Sequence, residues 1–261
     1  MGKHSRKFEL SKRDFEYSHE NGGFKYKYLP QWLRFKSENF KNDVDDKSRK
    51  KYFHLKRGTL VYARLGVNLG TEFSGNHFCI VLDKKDNQYK ETVTVIPLSS
   101  KDKKQYLKLK DNVVEHAKES IKQDLERFSK EIKENTEKVR KGSAQLKKYR
   151  EILERISSSQ KINDTDIEEL TSIDTDLRKE HEESKEKMEI LRRKHEQLGK
   201  LIDRYAKLNG KTTYAHINSI TTVSKRRLLR INELDPTGRV RFSDDSMRDI
   251  DKEISRRFLD I

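Results

Sequence analysis

An α+β protein is predicted by three observations: short β-prone runs in two separated stretches, a pair of long heptad-patterned segments between them, and a capped amphipathic segment near the end. Within 57–101, residues 60–65 and 78–82 are strand-like, and 92–98 supplies a third run after the turn-like 84–90. Gly70, Ser74 and Gly75 punctuate the segment between the first two, so a small polar loop lies there.

The heptads come next. Leu125, Ile132, Val139, Leu146 and Leu153 recur every seven residues, with Ile121, Phe128, Tyr149 and Ile156 in a companion row that Asn135 and Gly142 interrupt. A second set places Leu170, Leu177, Leu191, Leu198 and Tyr205 in one row and Ile167, Met188 and Ile202 in another, weakened by Asp174, His181, Ser184 and His195. The two histidines read as packing or register features of the seam, rather than as a pH sensor. Asn112 with Glu115, and Thr165 with Glu168, have capping-box spacing, and Asn209-Gly210 supplies a stop. Helices of about 46 and 43 residues would each run ~65 to 70 Å. Near-equal lengths return the chain to its departure point, as an antiparallel hairpin with its tip at 157–164 requires. An arrangement in which each helix pairs with a partner chain uses the same pattern.

Ser243 precedes Met247, Ile250, Ile254 and Phe258 in the pattern of a capped amphipathic helix. At the other end, Pro30 followed by Trp32, Leu33 and Phe35 predicts a short helix packing on the strands, in preference to a base-stacking surface. The first ~20 residues are expected to be disordered. The expected organisation is a basic, aromatic extension over 1–56, strands over 57–111, the hairpin over 112–210, and further strands with the terminal helix over 211–261.

Composition bounds the rest. Of 261 residues only 32% are hydrophobic and 39% are charged, which excludes one globular core of full size. With no apolar run near ~18 residues and no signal-peptide pattern, the expected location is cytoplasmic, away from membranes. Cys79, the single cysteine, falls in a strand and reads as a buried structural thiol. No metal-ligand spacing appears, and no cofactor is expected. Residues 113–208 hold 23 Lys+Arg against 22 Asp+Glu, leaving 36 against 22 elsewhere, so nearly all of the +15 net charge lies outside the hairpin. An anionic partner is therefore expected at the strand-bearing part.

Particular residues then resemble those of a known family. Arg57-Gly58 opens the first strand, Gly70-Thr71-Glu72 stands in the place of a Gly-Ser-Glu, and 92–99 resembles a strand that ends in a catalytic Thr or Ser. Far downstream, 219–228 reads SITTVSKRRL, similar to Gln-Ile-Arg-Thr-Ile-Asp-Lys-x-Arg-Leu. In this order and spacing the chain resembles the MazF/PemK toxin endoribonucleases, over roughly 57–110 and 212–259. It departs from them at His77-Phe78, where the family has Arg-Pro, and at Thr221, where it has a further arginine.

The resemblance implies a small SH3-like β-barrel of MazF/PemK/CcdB type with a C-terminal helix, interrupted here by the coiled-coil hairpin. It implies metal-independent cleavage of single-stranded RNA by a toxin of a toxin-antitoxin or phage-defence system, leaving a 2′,3′-cyclic phosphate and a 5′-hydroxyl. Catalytic roles fall to His77 and Ser99, with imidazole doing the proton work that its ordinary pKa of ~6.5 suits. Substrate-binding roles fall to Glu72, Ser74, Asn76, Ser100, Lys101 and Thr222. The implied partners are RNA, a protein antitoxin and a second copy of the chain in a homodimer. Two other readings stay open: a catalytically silent nucleic-acid-binding module, and a CcdB-like inhibitor of a protein target that reaches it with the helical arm.

Overall fold

The computed structural model describes residues 3–45, 51–159 and 163–259. They form two compact units, 1–117 with 208–261, and 118–207. In the first unit β1 (Leu60–Gly66), β2 (Gly75–Val81) and β3 (Thr92–Ser99) make an antiparallel meander, with Ala63 opposite His77 and Cys79 opposite Pro97. Further short strands are β4 (Leu107–Lys108), β5 (Tyr214–Ala215), β6 (Thr221–Ser224) and β7 (Leu228–Leu229). The two ends of β3 take different partners, β6 along 92–95 and β5 at Leu98 and Ser99, while β5 also pairs with β4.

The implied barrel is not closed by a ladder among the described residues. β6 lies on β3 and β7 lies on β1, so the chain itself crosses from one side of the meander to the other through the 3-10 turn Lys225–Arg227. Strands of four and two residues separated by that turn leave no backbone to pair across the gap. The downstream stretch singled out at 219–228 is thus part of the sheet.

Alternation explains the core. Val61, Ala63, Leu65, Cys79, Val81, Val93, Val95 and Val223 share one buried cluster with Leu55, and Leu60, Ile80 and Ile96 on the opposite side of the pleat are also fully buried. Covered on both faces, the sheet reads as near-continuous apolar runs. A buried ion pair pins the crossing turn: Lys225 Nζ lies 2.8 Å from both Asp86 carboxylate oxygens and also donates to Phe53 O.

Helix α1 (Lys3–Asn21) replaces the disorder expected for this segment, and almost all its described side chains are exposed. Backbone helix bonds and pairs such as Lys12–Glu16 support it. Helix α2 (Leu29–Asp45) takes Pro30 in its first turn and packs as expected, with Trp32 buried. Gly66 permits this: its φ is +90°, and a Cβ there would sit 2.3 Å from the Trp32 ring. The guanidinium of Arg227 lies over the same ring at 4.7 Å.

Helices α3 (Val113–Ser159) and α4 (Asp164–Ala206) have the expected lengths, 47 and 43 residues. The root of α3 is held by Asn112, whose Oδ1 accepts from Val114 N–H at 2.8 Å and whose Nδ2 donates to Lys211 O. Helix α4 starts differently from the expected Thr165–Glu168 box: Asn163 is the extended N-cap residue and its side chain makes no cap bond. Asp164 and Asp166 in the first turn offset the macrodipole there instead. Of the expected tip at 157–164, residues 160–162 lie outside the described residues.

The 118–207 unit is an antiparallel pair, as Lys148–Glu169, Lys138–Glu183 and Lys194–Glu131 show by their order. Of the predicted heptad rows, the seam uses the one through Ile121 and Phe128 on α3 and the one through Leu191, Leu198 and Tyr205 on α4, and leaves the other row of each helix outside. Ile121, Phe128, Asn135 and Ile152 are buried on α3 against Ile173, Leu191, Leu198, Leu201 and Tyr205 on α4, whereas the row from Leu125 to Leu153 is 41–54% exposed. Ile167, Met188 and Ile202 are exposed as well. One partner helix covers one stripe, and that stripe also takes in Asp124 and Asn135, the latter donating to Ser184 Oγ at 3.1 Å. Helix α5 (Asp244–Phe258) begins as expected, with Ser243 Oγ accepting from Ser246 N–H and with Met247 and Ile250 buried.

Candidate functional site

The C-terminal end of β3 is the centre of the site. Because Cys79 faces Pro97, the same antiparallel register brings His77 level with Ser99, while β5 sets Tyr214 opposite Ser99 on its other side. Here β3 leaves the core, and polar residues succeed the apolar run: Ser99, Ser100, Lys101. A cleft of about 950 Å³ opens beside it, lined by Glu72, Phe73, Ser74, His77, Ser99, Lys101, Lys103, Tyr106, His216 and Arg227 among others. That is room for more than one nucleotide-sized group.

Five of the eight site residues expected from the sequence, Glu72, Ser74, His77, Ser99 and Lys101, meet in this cleft. Asn76 and Ser100 line a smaller hollow of about 280 Å³ that shares His77, Ser99 and Lys101 with it. Thr222 lines neither. Its neighbours Thr221 and Val223 face the cleft, and strand alternation turns Thr222 away, where its hydroxyl meets that of Thr94 at 3.1 Å.

Local bonding fixes the loop between β1 and β2. Asn68 donates from its side chain to Leu65 O and Phe73 O, and Ser74 Oγ accepts from Asn68 N–H while donating to Glu72 O. Ser99 Oγ accepts from Lys101 N–H at 3.0 Å, folding the chain back at the strand end. His77 Nε2 lies 2.9 Å from Ser74 O, with Leu98 O as a second backbone acceptor beside the ring. Burial nonetheless dominates and pushes the His77 imidazole below its ordinary value, so it is neutral at pH 7. The Cys79 thiol behind it is fully buried and pushed far upward by desolvation, which removes it as a nucleophile.

Two residues absent from the sequence-based site stand out. His216 follows β5, its backbone N–H donating to Pro97 O at 2.9 Å. Its ring lies 4.3 Å from Tyr106 and 5.1 Å from Phe73, and Phe73 in turn lies 4.4 Å from His77. Arg227 donates to Arg64 O at 3.0 Å and also to Leu65 O, holding the cleft wall to the end of β1. No local pattern announces His216, since residue 216 reaches the site only through the pairing of β5 with β3. Arg227 was legible as part of the basic 225–227 run, though not as a wall of the cleft.

Residues 56–181 match a protein family described as PemK-like, MazF-like toxin of type II toxin-antitoxin system. The match takes in all three strands of the meander, with the loop bearing Glu72 and Ser74, and ends within α4. No curated protein matches the chain significantly.

Proposed function

From the PemK/MazF-like toxin domain at residues 56–181, we propose that this chain is a toxin that cuts single-stranded RNA without a metal, in a two-component system with a protein antitoxin. The observation that carries this reading is the gathering of His77, Ser99 and Lys101 in one cleft at the end of β3, with Lys103 and Arg227 on its walls. In such cleavage a 2′-hydroxyl attacks the adjacent phosphorus, and the enzyme must move protons and offset phosphorane charge. Lysines 101 and 103 supply positive charge for the phosphate, Ser99 a hydroxyl donor, and Glu72 and Ser74 polar contacts at the cleft mouth. Asn76 and Ser100 extend that binding surface into the adjoining hollow. The resemblance would put arginine where His77 stands, so this chain would replace a fixed charge with a titrating group. Thr222 fits a role in the sheet better than one on substrate.

One observation favours the binding-module reading. His77 Nε2 meets Ser74 O, and Leu98 O is a second backbone acceptor beside the ring, as for a histidine held for structure. Incubation of the full chain with a long single-stranded RNA in EDTA separates the two. Cutting to 2′,3′-cyclic phosphate and 5′-hydroxyl ends, reduced about 10²-fold or more in Ser99→Ala, is the expected result. Intact RNA that nevertheless shifts on a native gel would replace the nuclease by a binding module. The reading also carries a homodimer, with light scattering as its check.

A further inference from the structure

Resting on that ribonuclease reading, we infer that His216, rather than His77, is the base that takes the proton from the attacking 2′-hydroxyl. The two imidazoles flank Phe73 in the same cleft but are held in opposite ways. His77 has Ser74 O at Nε2 and Leu98 O as a second backbone acceptor beside the ring, an arrangement that occupies its N–H and orients the ring. His216 Nδ1 is buried and has no hydrogen-bond partner among the described residues, while its ring contacts both Tyr106 and Phe73. Nothing at Nδ1 fixes the tautomer. Both tautomers are therefore open to the neutral ring, and the one protonated at Nδ1 carries its lone pair on Nε2, as the base requires.

The surroundings keep that ring neutral. Desolvation lowers its pKa from the ordinary 6.5, and the positive charges of Lys103 and Arg257 lower it further. Arg257, reaching in from α5, is held by Gln105 O at 2.8 Å and Asn218 Oδ1 at 2.9 Å, and is paired with Glu253. The other titratable groups on the cleft are Glu72, Lys101, Tyr106, His77 and Arg227. A neutral base between two cations abstracts a proton and leaves an imidazolium that is quick to release it. A residue facing a carboxylate would do the reverse.

The step balances without another reactant than water. Nε2 takes the 2′-hydroxyl proton as that oxygen bonds to phosphorus and the P–O5′ bond breaks. The departing 5′-oxygen takes a proton from solvent water, and the imidazolium neutralises the hydroxide left behind. His77 is then a positioning residue that shapes the wall beside Ser99.

The test measures single-turnover cleavage of a single-stranded RNA by the full chain from pH 5 to 9, for the native protein, His216→Gln and His77→Gln. His216→Gln is expected to lose about 10²- to 10⁴-fold in rate and to lose the acid limb of the profile, whose midpoint lies below pH 6.5. His77→Gln keeps that limb. His216→Ala regains part of its rate when imidazole is added, and circular dichroism confirms that each variant is folded. A substrate with sulfur at the bridging 5′ position needs no leaving-group proton, so His216→Gln stays slow on it. Native-like rate and profile in folded His216→Gln, with active native protein, would overturn the inference alone. A native protein that leaves RNA intact overturns the ribonuclease reading and this inference with it.

Discussion

In the sheet unit Val81, Val93, Val95, Ile80 and Ile96 have no exposed surface, whereas in the helical pair a row of five apolar residues from Leu125 to Leu153 stays 41–54% exposed. Both regions repeat hydrophobic residues with a regular period, yet only the sheet leaves none of its strand apolar residues exposed. A central strand is covered above and below and is bonded at both edges, so its apolar positions on both faces find partners. A helix with a single neighbour covers one stripe, and any apolar row beyond that stripe stays wet. Two rows of α3 offer apolar residues for burial, one through Leu125 and one through Ile121. The stripe buried, through Ile121 and Phe128, also contains Asp124, paired with Arg127, and Asn135, which donates to Ser184 while its Oδ1 finds no partner among the described residues. Rigid burial thus coincides with the region that carries the cleft.

The largest blow to the contrast comes from inside the sheet unit. Lys225→Ala leaves the Asp86 carboxylate buried without its cation and is expected to cost about 3–5 kcal/mol. Urea unfolding followed by the fluorescence of Trp32, the chain's one tryptophan, reads this region directly. A cost under ~1 kcal/mol would show that the pair behaves as a solvated one.

Next come two substitutions within the hairpin, read by thermal melting of its helical signal. Leu198→Ala empties a fully covered position and is expected to cost about 2–4 kcal/mol. Val139→Ser, on the exposed row, is expected to change stability by no more than about 0.5 kcal/mol. Similar losses at both sites would mean that the row is covered in solution, as pairing with helices of another chain would require.

The smallest effect concerns pH. Hydrogen bonds from Arg256, and then from Arg257, hold the Glu253 carboxyl at about 2, well below its ordinary range. A depressed pKa contributes stability above the unfolded value of ~4.3, and this contribution is lost as pH falls toward 2. Because Arg256, the principal donor, is 69% exposed, the loss should stay below ~1 kcal/mol. Comparing native protein with Glu253→Gln between pH 5 and 2 isolates it: the two stability curves should converge at the acid end, and parallel curves would remove Glu253 as the cause.

Much of the fold was legible because it is local. The meander strands, the caps at Asn112 and Ser243, the packing of Trp32 and the two long helices follow from period, capping chemistry and proline placement within short windows. The Thr165–Glu168 box failed because Asn163 and the acidic first turn offered an earlier start. Helix α1 escaped notice for a related reason: it buries nothing, so no apolar stripe marked it.

The sequence by itself determined which residues could form strands and helices, that a long helical pair splits the strand-bearing stretches, and that polar chemistry clusters from Glu72 to Lys101. Tertiary structure alone decided that β5 sets His216 beside that cluster, that β6 and β7 straddle the meander without closing it, and that α3 hides Asn135 while showing Leu146. The reason is range. Periodicity and capping act over a few residues, whereas His216 lies 117 positions after Ser99 and reaches the cleft through strand pairing. Likewise, the choice among adjacent helical stripes depends on what the opposite helix presents.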